Sequence, residues 1–240
     1  MNKSVRGPRV SAIIPTLNEE TTLADVIVRC KPFVDEILVI DGHSKDRTAE
    51  VARSHGARFE LDDQKGKGAA MRRAARMVQG DILVFIDADG SHIPEDIPKL
   101  VEPILNGEAD HVTASRVTGG SSELHGGFDE FLRLTGSSFI TACINVRYKV
   151  RLSDSQNGFR AIKKDVFLNL GLTSNCTTIE QEMIMKTLAR GYRMAEIPSH
   201  EFLRKGGVSK VQVFKLWHKY VASLICGLLL QRKQKVGLAV

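Results

Sequence analysis

The sequence predicts an α/β protein, a single domain whose mostly parallel sheet is flanked by helices. Three observations predict it. Apolar strand-like runs alternate with helical patterns along the first half, and their connections are short, as βα units require. One run, Ile82-Leu83-Val84-Phe85-Ile86, is apolar throughout and rich in β-branched and aromatic residues, the signature of a strand buried on both faces. That run ends in Asp87-Ala88-Asp89. Paired carboxylates at the end of a buried strand repel each other and lose hydration unless a cation compensates them. In an open α/β sheet the ligands lie just outside the carboxyl ends of the strands.

The elements follow in order. Val10 to Ile14 reads as the first strand and ends at Pro15-Thr16-Leu17-Asn18. A helix is expected from about Glu19 to Arg29. Glu36 to Ile40 is the second strand, closed by Asp41-Gly42, and Ser44 or Asp46 caps a helix running through Ala52. Ala57 to Leu61 is a short strand. Gly66 to Val78 is a basic helix, followed by the strand that leads into Asp87. Pro94 to Leu105 is helical, and His111 to Ala114 is a strand. The second half is less regular. Thr118 to Gly127 is rich in Gly and Ser and reads as a loop. A helix from about Phe128 to Val146, a polar turn from Asp154 to Arg160, a helix from Thr178 to Arg190 and a strand from Tyr192 to Ile197 complete the chain up to its tail. No linker divides the halves. Residues 1–212 read as one catalytic domain, with 213–240 as a basic, apolar tail.

Charge sharpens that division. The net charge is +6, yet no acid follows Glu201, while eight Lys or Arg residues do; the rest of the chain carries 26 basic and 28 acidic residues. A basic tail of this kind fits a phosphate-rich partner. The tail has few aromatic residues to stack bases and no nucleic-acid motif, so no nucleic-acid partner is expected. The N-terminus is basic with no apolar stretch behind it, so no signal peptide is expected. Cys30, Cys143, Cys176 and Cys226 are widely spaced, which argues against a zinc site or a disulfide framework and for reduced thiols.

Three strand ends carry polar clusters: Pro15-Thr16-Leu17-Asn18-Glu19-Glu20, Asp41-Gly42-His43-Ser44-Lys45-Asp46-Arg47-Thr48 and Asp87-Ala88-Asp89. On a parallel sheet these converge on one crevice. The oxygen chemistry of Asp87 and Asp89 suits Mg²⁺ or Mn²⁺. Asp41 is placed to accept from a base or ribose hydroxyl, and Gly42 allows close backbone approach.

With Lys65-Gly66-Lys67-Gly68 between the second and third clusters, the pattern resembles the family-2 inverting glycosyltransferases of the GT-A fold over roughly residues 9 to 212. That resemblance implies a nucleotide site made by Pro15, Thr16, Asn18, Glu19, Asp41, Gly42, Lys67 and Asp87. It also implies a divalent cation, Mg²⁺ or Mn²⁺, held by Asp87, Asp89 and Ser91. Within the family, four segments are similar to dolichyl-phosphate mannose synthase and related polyprenyl-phosphate glycosyltransferases. They are Asp87-Ala88-Asp89-Gly90-Ser91-His92-Ile93-Pro94 (with Gly90 in place of the usual Leu), Ala114-Ser115-Arg116, Asp154-Ser155-Gln156-Asn157-Gly158-Phe159-Arg160 and Arg204-Lys205-Gly206-Gly207-Val208-Ser209-Lys210. The similarity implies that Arg116, Arg133, Ser137, Arg204, Ser209 and Lys210 hold acceptor or donor phosphates, and that Asp89, Glu182 and Arg116 are the catalytic set. Glu180 and Glu182 fall on a helix that the family places beside the acceptor. An acid there serves as general base for a hydroxyl acceptor, whereas a phosphate acceptor needs none.

The expected activity is therefore metal-dependent, inverting transfer of a hexose from a GDP- or UDP-sugar to a polyprenyl phosphate. Two rivals stay open: the same chemistry on a soluble acceptor, such as a sugar or a phosphoglycerate, and a nucleotide-binding module without catalysis. The apolar stretch Val221 to Leu230 falls short of the ~20 residues that span a bilayer. Its flanking Trp217, Lys219, Tyr220, Arg232, Lys233 and Lys235 suit a membrane interface. Attachment to the cytoplasmic face of a membrane is expected, with a core-packed helix or the start of a longer membrane region as the alternatives.

Overall fold

The computed structural model describes residues 7–122, 128–204 and 213–231; for 128–134 and 213–216 only the helical backbone is considered. Among the described residues one sheet of seven strands has the order β3-β2-β1-β4-β6-β5-β7. Its strands are β1 (Val10–Thr16), β2 (Glu36–Asp41), β3 (Arg58–Leu61), β4 (Ile82–Phe85), β5 (His111–Ser115), β6 (Arg160–Lys163) and β7 (Met194–Pro198). β1, β2, β3 and β4 run parallel, as do β5 and β7, while β6 lies antiparallel between β4 and β5. The helices are α1 (Leu23–Cys30), α2 (Thr48–Ser54), α3 (Lys67–Met77), α4 (Ile97–Leu105), the single turn α5 (Arg116–Gly119), α6 (Phe128–Tyr148), α7 (Lys164–Asn169), α8 (Ile179–Ala189) and α9 (Val213–Leu228).

The sheet is buried on both faces because its strands are apolar at successive positions. Ala12 and Ile14 of β1 face one layer, with Leu23, Ile27, Leu100 and Ile104 of α1 and α4. Ile13 between them faces the other, with Met71 and Ala74 of α3 and Met183 of α8. A strand with one solvated face would alternate with polar residues instead. A third apolar cluster joins Ile144 and Tyr148 of α6, Ile184, Met185 and Leu188 of α8, and Leu224 of α9.

Three differences from the sequence reading have physical causes. β6 was not expected: only four residues long, it follows the polar turn and opens on a charged residue. Arg160 is nonetheless fully buried, because its guanidinium donates to the carbonyls of Glu180 (2.9 Å) and Asn157. The 118–127 loop begins as α5, whose first turn is capped by Ser115 Oγ accepting from Val117 and Thr118 N–H; residues 123–127 lie outside the described residues. Neither residue considered as the cap of α2 holds that position: the N-cap is Arg47, which makes no side-chain cap bond, while Asp46 before it accepts from the Thr48 N–H at 3.0 Å and Ser44 turns back to Asp41. The tail forms α9, and its inner face closes the third apolar cluster. Tyr148 Oη donates to the Gly227 carbonyl at 2.6 Å and Arg147 Nε to that of Leu228 at 2.7 Å.

Candidate active site

β2, β1 and β4 are adjacent and parallel, so their carboxyl ends open on one crevice, with Thr16 opposite Asp41 in register. The first two loops brace each other. Thr16 Oγ1 donates to Asp41 Oδ2 (2.8 Å), and the Gly42 N–H donates to the Thr16 carbonyl (2.9 Å). The Asn18 N–H donates to Ser44 Oγ (2.7 Å), and Asn18 Oδ1 accepts from the Lys45 N–H (2.9 Å). The Glu19 N–H donates to Thr48 Oγ1 at 3.0 Å. Asn18 is held at φ 57°, a left-handed conformation that asparagine tolerates better than most residues. Asp41 was expected to meet the nucleoside directly. It is 1% exposed, and its carboxylate already accepts from Thr16 Oγ1, Ser44 N–H and Ser44 Oγ. It makes the turn that presents its neighbours.

The Lys65–Gly68 segment enters α3 beneath the loop before α8. A Cβ at Gly66 would stand 2.5 Å from the Asn175 carbonyl oxygen, and one at Gly68 2.3 Å from that of Ser174. Glycine lets the two segments touch, and the Gly68 N–H donates to the Asn175 carbonyl at 3.0 Å. The contact delivers Lys67 Nζ to Asp87 Oδ1 (2.7 Å) and Glu180 Oε1 (2.9 Å). Burial disfavours the lysine's charge, but Asp87 and Glu180 outweigh it and raise its pKa. For Asp87 burial likewise works against ionisation, and Lys67, followed by His92, holds the carboxyl far below its usual range. Gly158 completes the fit, since a Cβ there would lie 2.8 Å from Asp87 Oδ2.

Asp89 is buried beside it. Its Oδ1 accepts from the N–H (3.0 Å) and hydroxyl (2.7 Å) of Ser91, and its Oδ2 faces Arg204 Nε at 3.2 Å. Ser91, expected as a metal ligand, spends its hydroxyl proton on orienting Asp89. No group of three or more His, Cys, Asp or Glu among the described residues could hold a metal by itself. Two hard-oxygen carboxylates at one strand end fit Mg²⁺ or Mn²⁺ all the same. Such ions are commonly held by one or two carboxylates together with substrate phosphates and water.

The two α8 acids part company. Glu182, expected in the catalytic set, accepts from the Thr173 N–H and hydroxyl (2.9 Å each), the Ser174 N–H (2.8 Å) and Lys186 (2.7 Å). It fastens the loop that positions Gly66 and Gly68. Glu180 is the acid that meets Lys67, and its Oε2 is buried with no hydrogen-bond partner among the described residues. Sequence spacing could not separate them, because both fall in the first turn of α8.

Arg116, expected at a substrate phosphate, is committed to protein acids. Nε and Nη2 reach the two Asp154 oxygens (2.6 and 3.0 Å), and Nη1 reaches Glu201 (3.2 Å). Burial lowers the Asp154 carboxyl's tendency to ionise, but the facing guanidinium outweighs it and lowers its pKa. Asp154 and Glu201 are thus residues the sequence reading did not assign. Ser137 lies half-buried on α6, where its carbonyl accepts from Thr141 Oγ1 at 2.8 Å. Pro15, next to the last residue of β1, is half-buried. The roles expected of Arg133, Ser209 and Lys210 fall outside the described residues.

Comparison with known proteins agrees with this geometry. The sequence model of glycosyl transferase family 2 matches residues 11–171. The chain is 31% identical over 205 residues to the low-salt glycan biosynthesis hexosyltransferase Agl6 of Haloferax volcanii, an alignment covering 83% of this chain and 49% of that one. It is 30% identical over 214 residues to a dolichol-phosphate mannosyltransferase of Pyrococcus furiosus, covering 85% and 59%. The chain therefore spans about half the length of the first relative and less than two thirds of the second. Among solved structures, glucosyl-3-phosphoglycerate synthase from Mycobacterium tuberculosis in complex with Mn²⁺, UDP and phosphoglyceric acid superimposes with a TM-score of 0.72 at 25% identity, over 97% of this chain and 82% of that one. Strand order, the paired acids that follow β4 and the extent of the match lead to one conclusion: the chain belongs to glycosyl transferase family 2.

Proposed function

We propose that the protein transfers a hexose, with inversion, from a GDP- or UDP-sugar to a polyprenyl phosphate at the cytoplasmic face of a membrane. One observation carries the acceptor. Neither acid of α8 presents an accessible base: Glu180 is buried with its Oε1 on Lys67, and Glu182 is spent on the 173–174 loop and Lys186. A hydroxyl acceptor needs such a base, whereas a phosphate oxygen is already anionic at neutral pH. The relatives whose names include dolichol-phosphate mannosyltransferase and dolichyl-phosphate hexose transferase support the same acceptor class.

The residues divide the work. The Thr16–Glu19 and Asp41–Thr48 loops shape the nucleoside pocket. Lys67 supplies fixed positive charge beside the diphosphate position. Asp87 and Asp89 would hold Mg²⁺ or Mn²⁺, which neutralises charge building on the leaving diphosphate. Membrane attachment is supported by α9, whose outer face exposes Trp217, Val221 and Ile225 at four-residue spacing, with exposed Leu229 just past its end. No described helix is long and apolar enough to cross a membrane.

The soluble-acceptor reading has support in the bound phosphoglyceric acid of the glucosyl-3-phosphoglycerate synthase. Incubation with radiolabelled GDP- and UDP-hexoses, Mn²⁺ and both acceptor types, followed by organic extraction, separates the two. Label in the organic phase with polyprenyl phosphate is the expected result. Label transferred only to phosphoglycerate would replace this acceptor, and hydrolysis-free binding with no transfer to either would favour the non-catalytic module.

A further inference from the structure

Both carboxylates of the Asp-Ala-Asp motif already face a cation supplied by the protein. Lys67 is on Asp87 at 2.7 Å and Arg204 on Asp89 at 3.2 Å. The two cations are not equivalent. Lys67 is also held by Glu180 at 2.9 Å, and α3 and the α8 loop fix its backbone. Arg204 is about a third exposed and lies past the end of β7. The fold nevertheless delivers it deliberately. The Phe202 N–H donates to the Ser91 carbonyl (2.8 Å), the Glu201 N–H donates to that of Gly120 (3.1 Å), and the Ser122 N–H donates to the Glu201 carbonyl (2.8 Å). Glu201 is pinned further by Arg116. The strand exit is thus stitched onto the metal motif two residues from Asp89, and Arg204 follows two residues after Phe202.

We propose that Arg204 is the resident counter-ion of Asp89, displaced only when a divalent cation arrives together with a nucleoside diphosphate. Alone, the ion must compete with a guanidinium for Asp89 Oδ2, and like charges a few ångströms apart oppose its binding. With a diphosphate present, the displaced guanidinium gains a phosphate to pair with, for which its planar fork is suited. Metal and nucleotide affinities then become coupled, and by linkage each raises the other by the same factor. The inference rests on the reading of Asp89 as a metal ligand. It adds that Arg204 weakens binding of the bare ion, which a simple phosphate-binding arginine would not do.

Calorimetric titration of Mn²⁺ into the full chain, with and without GDP or UDP, tests this. Wild type should bind Mn²⁺ weakly alone and much more tightly with the nucleotide. Arg204→Met should bind Mn²⁺ alone about three- to tenfold more tightly than wild type, the scale of one partly exposed charged contact, and should lose most of the coupling. Arg204→Lys, which keeps the charge, should leave bare-ion affinity near wild type. Unchanged bare Mn²⁺ affinity in Arg204→Met, with only nucleotide binding weakened, would overturn the counter-ion role and leave the metal site standing. If Asp89→Asn binds Mn²⁺ plus nucleotide as wild type does, the metal reading itself fails, and this inference with it.

Discussion

Lys67 and Arg116 show why a charged residue's role must be read from its partners. Lys67 compensates two acids at once, and Glu180 is 3% exposed. Removing one partner from a buried ion pair leaves uncompensated charge, which commonly costs about 3–5 kcal/mol. Lys67→Met should therefore destabilise the protein by about 3 kcal/mol in urea unfolding. Adding Glu180→Met should recover part of that loss, and strict additivity of the two changes would show that the pair is not coupled. Arg116→Ala leaves Asp154 and Glu201 facing each other without their common cation. A stability loss of about 3 kcal/mol is expected. Wild-type stability with a selective loss of acceptor use would instead return Arg116 to the phosphate. His111 gives a pH signature. It is fully buried between Thr187 and Arg160, and burial first, then Arg160, push its pKa well below 6.5. The unfolded chain takes up a proton below about pH 6.5 that the folded chain refuses, so stability falls with acidification at up to about 1.4 kcal/mol per pH unit. Above that pH the site contributes no slope. The stability gap between wild type and His111→Gln should shrink by about 1 kcal/mol from pH 7.5 to 5.5, and a gap that does not change with pH would mean that His111 is not held neutral.

At the scale of elements, close packing between α3 and the α8 loop sets the position of Lys67. Gly68→Ala would place a methyl 2.3 Å from a backbone oxygen that cannot swing aside as a side-chain end could. The loop must shift, and nucleotide affinity should fall at least tenfold in a fluorescence titration; wild-type affinity would show that the contact is dispensable. The strands flanking this site were legible in the sequence because each is a buried apolar run with a polar end, and that pattern survives without an alignment. β6 was not, since a four-residue strand opening on Arg160 carries no periodicity and depends on long-range hydrogen bonds to exist. Helix α9 was half legible. Its apolar content was plain, but only the fold shows that Tyr220, Leu224 and Gly227 face inward while Trp217 and Ile225 face out. Deleting the helix would therefore open the core, and point changes test the membrane role better. Trp217→Ser with Ile225→Ser should reduce sedimentation with anionic liposomes about tenfold or more, from lost apolar burial, while nucleotide binding stays unchanged. Undiminished sedimentation would place the contact elsewhere.

For the molecule as a whole, the sheet explains why residues as far apart in sequence as Thr16, Asp41, Asp89 and Arg204 act at one place. Three parallel strand ends and the exit of a fourth strand converge on a single crevice, the general position of ligands in open α/β sheets. Motif spacing revealed which segments meet there. It could not reveal which side chains are engaged in building the site, as Asp41, Arg116 and Glu182 are, because that depends on hydrogen bonds between segments. The account stands on Asp89 as the carboxylate that couples a divalent cation to the nucleotide. Calorimetric titration of GDP and UDP into wild type and Asp89→Asn, each with and without Mn²⁺, measures this directly. The wild type should bind nucleotide at least tenfold more tightly with Mn²⁺. The variant, which keeps the side-chain shape but loses the charge, should remain folded by circular dichroism and show no Mn²⁺ effect. An equal Mn²⁺ enhancement in a folded Asp89→Asn protein would contradict the account.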